Sequence, residues 1–183
     1  MNRKFKKGIV QVYTGDGKGK TTAALGLAIR ALGQGLKVYM IQFLKSPRLN
    51  SGEYKIKNAL GKNFKLYRLN TPWWSLKSIK NDNHIKRMKN LLKREMIKIK
   101  EIISSEKYNL IILDEINVCL FYGLIDMDML MAIIKAKSPG VEVVFTGRYA
   151  PEELKEAADL VTEMRMIKHP FSQGLKARRG IEY

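Results

Sequence analysis

Two hydrophobic patterns alternate along the chain, and together they predict an α/β protein. Short apolar runs rich in β-branched residues have the length and composition of buried strands. There are five of them, at residues 8–13, 38–44, 64–69, 110–113 and 141–146. Segments with helical spacing separate several of these runs, which is typical of a parallel sheet with crossover helices. The pattern therefore predicts one domain, 1–183, in which a mostly parallel sheet is flanked by helices and a basic tail at 1–7 precedes it.

Two of the predicted helices are defined by their spacing and their ends. The first runs from Lys20 to about Gln34, where Gly33 and Gly35 are placed to end it. The second covers 84–104 and carries an apolar residue at every third or fourth position. This face comprises Ile85, Met88, Leu92, Met96, Ile99 and Ile103. A stripe of this kind predicts packing against the core.

A glycine-rich loop joins the first strand to the first helix. It reads Thr-Gly-Asp-Gly-Lys-Gly-Lys-Thr-Thr over 14–22. Glycines let the backbone turn its N–H groups inward, and the positive end of the following helix dipole also favours phosphate. Lys20 can reach phosphate oxygens, and the Thr21 hydroxyl can bind Mg²⁺ or Mn²⁺. The loop predicts a P-loop NTPase-like (RecA-like) fold, although Thr14 stands where the general pattern has glycine.

The same loop predicts that the chain binds a nucleoside triphosphate. The residues predicted to contact it are Gly15, Asp16, Gly17, Lys18, Gly19, Lys20, Thr21 and Thr22. The alternative, a Gly- and Lys-rich surface turn, does not account for the strand before the loop and the helix after it.

Two further strand ends carry charged residues that suit a phosphate or a metal ion. Asp114 and Glu115 follow the apolar run 110–113, and ligands of parallel sheets gather at the carboxyl ends of the strands. One carboxylate can hold Mg²⁺ directly or through water, while the other orients water or a second ligand. Arg148 follows the run 141–146, and its guanidinium can clamp a phosphate with two hydrogen bonds. An ordinary surface role is the alternative for Arg148.

The composition narrows the class of protein. Lys and Arg total 34 against 17 Asp and Glu, a formal charge of +17, which suits partners that carry phosphate. This charge is spread along the chain without a zinc-finger or RNA-binding signature, so nucleic acid is not the predicted partner.

No apolar run approaches the roughly 20 residues of a membrane span, and no signal-peptide pattern follows the basic N-terminus, which predicts a cytoplasmic protein. Cys119 is the only cysteine, which excludes an intrachain disulfide, and its apolar neighbours predict a buried thiol.

The combination of motifs is more specific than any one of them. The segments concerned are 13–24, 42–45 with Gly52-Glu53, 113–115, 146–151, 158–164, 168–171 and 180–183. Together they resemble the P-loop-type ATP:cob(I)alamin (corrinoid) adenosyltransferases, over about 8–60 and 109–183. Thr14 is the expected residue at the loop start in this family.

The resemblance implies a reaction as well as a fold. The cobalt of cob(I)alamin, or of a related corrinoid, attacks the 5′ carbon of ATP and triphosphate leaves, so no proton need be abstracted. By resemblance, Lys20, Thr21 and Arg148 are catalytic, and Glu53 joins the ATP site. Mg²⁺ is expected on Thr21 with Asp114 or Glu115. The nucleotide is expected to lie reversed relative to ordinary P-loop enzymes.

The resemblance also implies a corrinoid surface and partners. Trp73 and Trp74 are the local aromatic candidates for excluding water and displacing the lower axial ligand of cobalt. Packing beneath a loop is the alternative for both. A reduced flavoprotein or a similar electron donor, and a homodimer, are implied in the same way.

Three departures from the family pattern accompany the resemblance. Asp16 stands where asparagine is commoner, Arg178 replaces a usual glutamine, and 61–108 match poorly.

Two other functions fit the P-loop alone: a phosphoryl-transfer enzyme or RecA-like ATPase that releases ADP, and a nucleotide-gated module that binds nucleic acid. The second predicts an affinity for DNA or RNA that falls steeply with salt.

Overall fold

The computed structural model describes residues 6–45, 51–71 and 82–182 of the chain. Its described strands form one sheet in which every neighbouring pair runs parallel. The strands are β1 (Val10–Thr14), β2 (Val38–Gln42), β3 (Phe64–Arg68), β4 (Leu110–Asp114), β5 (Glu142–Thr146) and β6 (Leu160–Glu163). Their spatial order is β3-β2-β4-β5-β1-β6. The predicted parallel α/β class is confirmed.

The helices lie between the strands, as the pattern of spacing predicts. They are α1 (Lys20–Gly33), α2 (Gly52–Ile56), α3 (Asp82–Ser104), α4 (Ile116–Phe121), α5 (Met127–Ala136) and α6 (Glu152–Ala157), and a short 3-10 helix covers Pro170–Gln173. None of the described helices has both the length and the apolar character needed to cross a bilayer.

The two faces of the sheet pack against different helices. On one face, α3 buries Met88, Leu92, Met96, Ile99 and Ile103, the stripe that the sequence predicts, while Ile85 is only partly buried. Cys119 lies in the same cluster and is fully buried, as expected. On the other face, the small residues Ala24 and Ala28 let α1 approach the sheet closely. Because both faces are covered, the central strand β4 is buried along its whole length.

The strand β6 is absent from the sequence prediction. It pairs with β1 at the edge of the sheet, in a register that places Glu163 beside Thr14. All four of its residues are exposed, so it lacks the apolar run that marks a buried strand. The chain leaves β6 directly behind the glycine-rich loop, where the Met164 N–H donates to the Thr14 carbonyl over 2.9 Å. An unpredicted strand therefore supports the predicted site.

Candidate nucleotide-binding site

The loop between β1 and α1 is folded tightly against the end of β6. Gly15 and Gly19 have φ angles of 92° and 124°, in the region that favours glycine. A β-carbon at Gly15 would lie 2.4 Å from the Met164 carbonyl oxygen, and one at Gly17 would lie 2.6 Å from it. The Gly17 N–H donates to that oxygen over 2.7 Å. Backbone contact therefore requires glycine at 15 and 17, and backbone conformation favours it at 15 and 19.

The Lys20 side chain lies along the inside of this loop. Its ammonium donates to the carbonyls of Gly15 and Gly17 over 2.6 and 2.7 Å, and the residue is 7% exposed. Burial, and then the charge of Arg148, lower the pKa of Lys20. The loop thus holds a cation at the start of α1, where backbone N–H groups also point.

Asp114, at the end of β4, connects the loop to three other segments. One carboxylate oxygen accepts the hydroxyls of Thr21 and Thr146 over 2.8 and 2.7 Å. The other accepts the Gln42 amide over 3.1 Å and pairs with the Lys45 ammonium at 2.8 Å. The carboxylate is completely buried, and four protein donors surround it. Such a group fixes the Thr21 hydroxyl in place.

A second carboxylate, Glu53, shares two of those donors. It accepts the Gln42 amide over 3.0 Å and lies 3.4 Å from the Lys45 ammonium. Arg68 extends the network by donating to the side-chain oxygen Oε1 of Gln42 over 2.8 Å and to the Ser51 hydroxyl over 2.7 Å. The ends of β2 and β3 and the start of α2 are therefore joined through polar side chains.

The charges in this network shift one another's pKa values. Burial alone would lower the pKa of Lys45, but the attraction of Asp114, with Glu53 and Glu115, outweighs burial and raises it. Burial would raise the pKa of Glu53, but the Gln42 hydrogen bond and the Lys45 charge lower it overall. Lys45 and Glu53 are thus held in their charged forms.

Glu115 occupies a left-handed backbone position, with φ of 69°. Its N–H donates to the Thr146 hydroxyl over 3.1 Å, which ties this bend to β5. Burial, and then the charge of Asp114, raise the pKa of Glu115. A strained non-glycine residue at a strand end of this kind is a common feature of functional sites.

Arg148 lies on a bend that is anchored on both sides. Gly147, with φ of 135°, precedes it and accepts the Asn117 amide over 3.1 Å. The Ala150 N–H, two residues after Arg148, donates to the buried Thr14 hydroxyl over 3.1 Å. The backbone around Arg148 is therefore fixed relative to the glycine-rich loop.

Two cavities meet over the start of α1. The P-loop cavity, about 330 Å³, is lined by the loop together with Arg148 and His169. The side cavity, about 440 Å³, extends towards α2 and is lined by aliphatic side chains together with Lys45 and Glu53. Residues common to both cavities are Thr21, Thr22, Glu115, Ile181 and Glu182. The two cavities therefore form one continuous cleft.

The structure brings most of the predicted site residues to this cleft. Gly17, Lys18, Gly19, Lys20, Thr21, Thr22, Glu115 and Arg148 line the P-loop cavity. Glu53 lines the side cavity, and Asp114 is buried behind Thr21. Asp16 is turned away from the loop interior, since its carboxylate accepts the Met166 N–H over 3.4 Å. Trp73 and Trp74 lie outside the described residues.

Sequence reasoning missed the polar network behind the cleft. Gln42 and Lys45 entered only through the resemblance, and Arg68 and Ser51 were not singled out. Arg68 is the last residue of β3, and this place at the end of a strand is a signal that could have put it at this edge of the sheet. Residues 180–183 entered only through the resemblance, and the pairing of Glu182 with Lys18 of the loop was not predicted.

A solved structure with a similar fold is the flagellar accessory protein FlaH from Methanocaldococcus jannaschii. It aligns with a TM-score of 0.54 and 13% identity, covering 87% of this chain and 71% of that one. At this identity the likeness concerns the fold alone.

Two relatives with closer sequences carry the name corrinoid adenosyltransferase. The corrinoid adenosyltransferase of Sinorhizobium sp. is 36% identical over 97% of this chain and 81% of its own length. The corrinoid adenosyltransferase of Escherichia coli K12 is 32% identical over 97% of this chain and 87% of its own. The sequence profile described as ATP:corrinoid adenosyltransferase BtuR/CobO/CobP matches residues 6–183. The chain belongs to the ATP:corrinoid adenosyltransferase family.

Proposed function

We propose that this protein transfers the 5′-deoxyadenosyl group of ATP to the cobalt of cob(I)alamin or a related corrinoid, releasing triphosphate. The observation that carries the proposal is the continuous cleft, whose cationic P-loop cavity meets an apolar side cavity at Thr21 and Thr22. A triphosphate with an attached nucleoside requires two such compartments side by side. Family membership supplies the reaction.

The P-loop cavity is the proposed triphosphate site. Lys20 and Arg148 place positive charge at this cavity, and the N–H groups at the start of α1 add donors. As the C5′–O bond breaks, negative charge grows on the departing triphosphate. Groups fixed in advance stabilise that charge without reorganising, and in many enzymes this stabilisation accounts for most of the rate enhancement. Lys20, Thr21 and Arg148 are therefore the proposed catalytic residues, and Lys18 adds charge at the rim.

The chain offers hard oxygen ligands that fit Mg²⁺ beside the triphosphate. The Thr21 hydroxyl and the Glu115 carboxylate line the P-loop cavity. Asp114 already accepts four protein donors, so its proposed role is to orient Thr21 and any bound water rather than to coordinate directly. Mg²⁺ would neutralise phosphate charge in this position.

The side cavity is the proposed adenosine site. Leu25 and Ile29 of α1 face Ile56 and Leu60 across it, which suits the flat apolar base. Ser51 and Glu53 supply hydrogen-bonding groups for ribose hydroxyls. The family resemblance implies a nucleotide reversed relative to ordinary P-loop enzymes, in which C5′ rather than the γ-phosphate is presented to the corrinoid.

No general base is needed, since cob(I)alamin is itself the nucleophile. The protein's work is to align the cobalt with C5′ and to exclude water. Trp73 and Trp74 remain the proposed contacts to the corrinoid. A reduced flavoprotein or similar donor, and a homodimer, remain proposed partners.

The proposal is tested by an anaerobic assay with Mg-ATP and chemically reduced cobalamin. Wild-type protein is expected to form the light-sensitive adenosylcobalamin spectrum. The Lys20→Ala variant is expected to lose about 100-fold or more in kcat, because one fixed cation at the leaving group is removed. Lys155→Ala removes the same charge from an exposed ion pair on α6 and serves as the control. An unchanged rate in Lys20→Ala contradicts the proposed site.

A further inference from the structure

The last described residues of the chain form a strap across the cleft. This C-terminal strap, residues 178–182, is a turn in which the N–H groups of Ile181 and Glu182 donate to the Arg178 carbonyl over 3.3 and 3.0 Å. Ile181 and Glu182 line both the P-loop cavity and the side cavity. Ile181 is 57% exposed despite its apolar side chain, so the strap is not held by burial in the core.

The Glu182 carboxylate connects the strap to the glycine-rich loop through Lys18, and its hydrogen bonds to Arg178 lie within the strap itself. One of its oxygens accepts the Lys18 ammonium over 2.9 Å and the Arg178 guanidinium over 3.2 Å. The other accepts the Arg178 N–H over 2.7 Å. Hydrogen bonds from Arg178, and then from Lys18, lower the pKa of Glu182 to about 2, so this carboxylate is charged at neutral pH.

Lys18 can pair with either of two anions: the Glu182 carboxylate, as observed, or the triphosphate proposed for this cavity. It lies on the glycine-rich loop and lines the proposed triphosphate cavity, yet its ammonium is paired with an acid from the far end of the chain. We propose that Glu182 is an internal anion that holds the strap closed on Lys18, and that the bound triphosphate displaces it and opens the strap. This inference rests on the proposed function, since it requires a polyphosphate in the P-loop cavity.

The Lys18–Glu182 ion pair is weak enough for a bound triphosphate to displace it. The Lys18 and Glu182 side chains keep 45% and 22% of their surface exposed, and ion pairs this accessible to water are weak. A triphosphate carries several negative charges, so it attracts Lys18 more strongly than one carboxylate does and repels Glu182. Displacement also frees Arg178, which can then turn to the phosphates. A polyphosphate would therefore displace the strap, whereas an anion with less charge would not.

The test is the affinity of the full chain for inorganic triphosphate, measured calorimetrically without corrinoid. Glu182→Gln removes the competing charge and is expected to tighten binding about two- to fivefold. Glu152→Gln makes the same change of charge in an exposed pair with Lys155, away from the cleft, and is expected to bind as wild type does. In a Lys18→Met background, the gain from Glu182→Gln is expected to shrink, because the pair is already broken.

A second measurement follows the strap itself. Saturating triphosphate is expected to speed tryptic cleavage after Arg178 or Arg179 in wild type, since a displaced strap is more accessible. Equal or weaker binding by Glu182→Gln, or protection of the strap by triphosphate, overturns the proposal. If wild type binds no triphosphate at all and Lys20→Ala behaves identically, the proposed function fails together with the inference.

Discussion

At the residue scale, the glycines of the loop differ from those of the helix that follows. Gly15 combines a positive φ with a backbone oxygen 2.4 Å from any added β-carbon, whereas Gly26 in α1 has open space around that position. The same substitution is therefore expected to have opposite consequences in the loop and in the helix. Local backbone contact, and not glycine content, defines the site.

The two glycines predict opposite changes in the free energy of unfolding when each is replaced by alanine. Gly15→Ala is expected to lower the free energy of unfolding by about 1–3 kcal/mol, through backbone strain and displacement of the loop from β6. Gly26→Ala is expected to raise it by roughly 0.5–1 kcal/mol, because alanine is the better helix former. Urea unfolding of the two variants checks the signs. Equal effects would contradict the close approach of the loop to Met164.

The Glu53 carboxylate predicts how the stability of the fold depends on pH. Its pKa is lowered from the ordinary value of 4.5, so its ionised form stabilises the fold above that pH and the contribution is lost as pH falls through the folded-state pKa. Wild type is expected to be more stable than Glu53→Gln at about pH 7, and the difference is expected to be smaller at a pH below 4.5. Unfolding free energies at both pH values measure this. A difference that does not change with pH would show that Glu53 contributes no charge interaction.

Single residues also show what the sequence can and cannot predict. Lys20 and Thr21 were predicted from a contiguous motif, because the loop and its helix are local structures. The pairing of Lys45 with Asp114 crosses from β2 to β4, and the pairing of Lys18 with Glu182 spans almost the whole chain. Such contacts depend on the order of the strands, which the hydrophobic pattern does not specify.

At the scale of elements, burial decides which ones the pattern reveals. Helix α3 was predicted from its apolar stripe, and its observed bounds, Asp82–Ser104, begin two residues before the predicted start. Strand β6 was not predicted, because it is a four-residue exposed edge with no apolar alternation to detect. The apolar pattern therefore reveals a long helix with a buried stripe and misses an exposed edge strand.

The stripe of α3 provides the corresponding prediction. Leu92 is completely buried, whereas Ile97, on the same helix, is 56% exposed. Leu92→Ala is expected to cost about 2–5 kcal/mol of unfolding free energy through lost burial and the cavity left behind. Ile97→Ala is expected to cost less than about 1 kcal/mol, as surface changes do. Similar losses in the two variants would contradict the orientation of α3.

At the scale of the whole molecule, the strand order assembles the cleft. β4 and β5 lie between β2 and β1 in the sheet, so the ends of four strands present Gln42, Asp114, Thr146 and Thr14 side by side. The carboxyl edge of a parallel sheet is where such proteins bind ligands. The sequence predicted that this edge would carry the chemistry. It could not predict the side cavity, which is built from α1, α2 and the C-terminal strap.

The charge of the whole chain bears on the alternatives. A formal charge of +17 is compatible with nucleic acid, and a P-loop alone is compatible with phosphoryl transfer. Membership of the adenosyltransferase family supports neither nucleic-acid binding nor phosphoryl transfer as the function of this chain. Adenosyl transfer breaks the C5′–O bond of ATP, whereas phosphoryl transfer and ATP hydrolysis break a P–O bond, and that difference can be observed directly.

The most direct measurement is the phosphorus NMR spectrum of the anaerobic reaction of wild-type protein with Mg-ATP and reduced cobalamin. Attack at C5′ predicts intact triphosphate, in an amount equal to the adenosylated corrinoid formed and suppressed in Lys20→Ala. ADP with inorganic phosphate, and no corrinoid product, would contradict the proposed reaction and identify the cleft as the site of a phosphoryl-transfer enzyme or an ATPase.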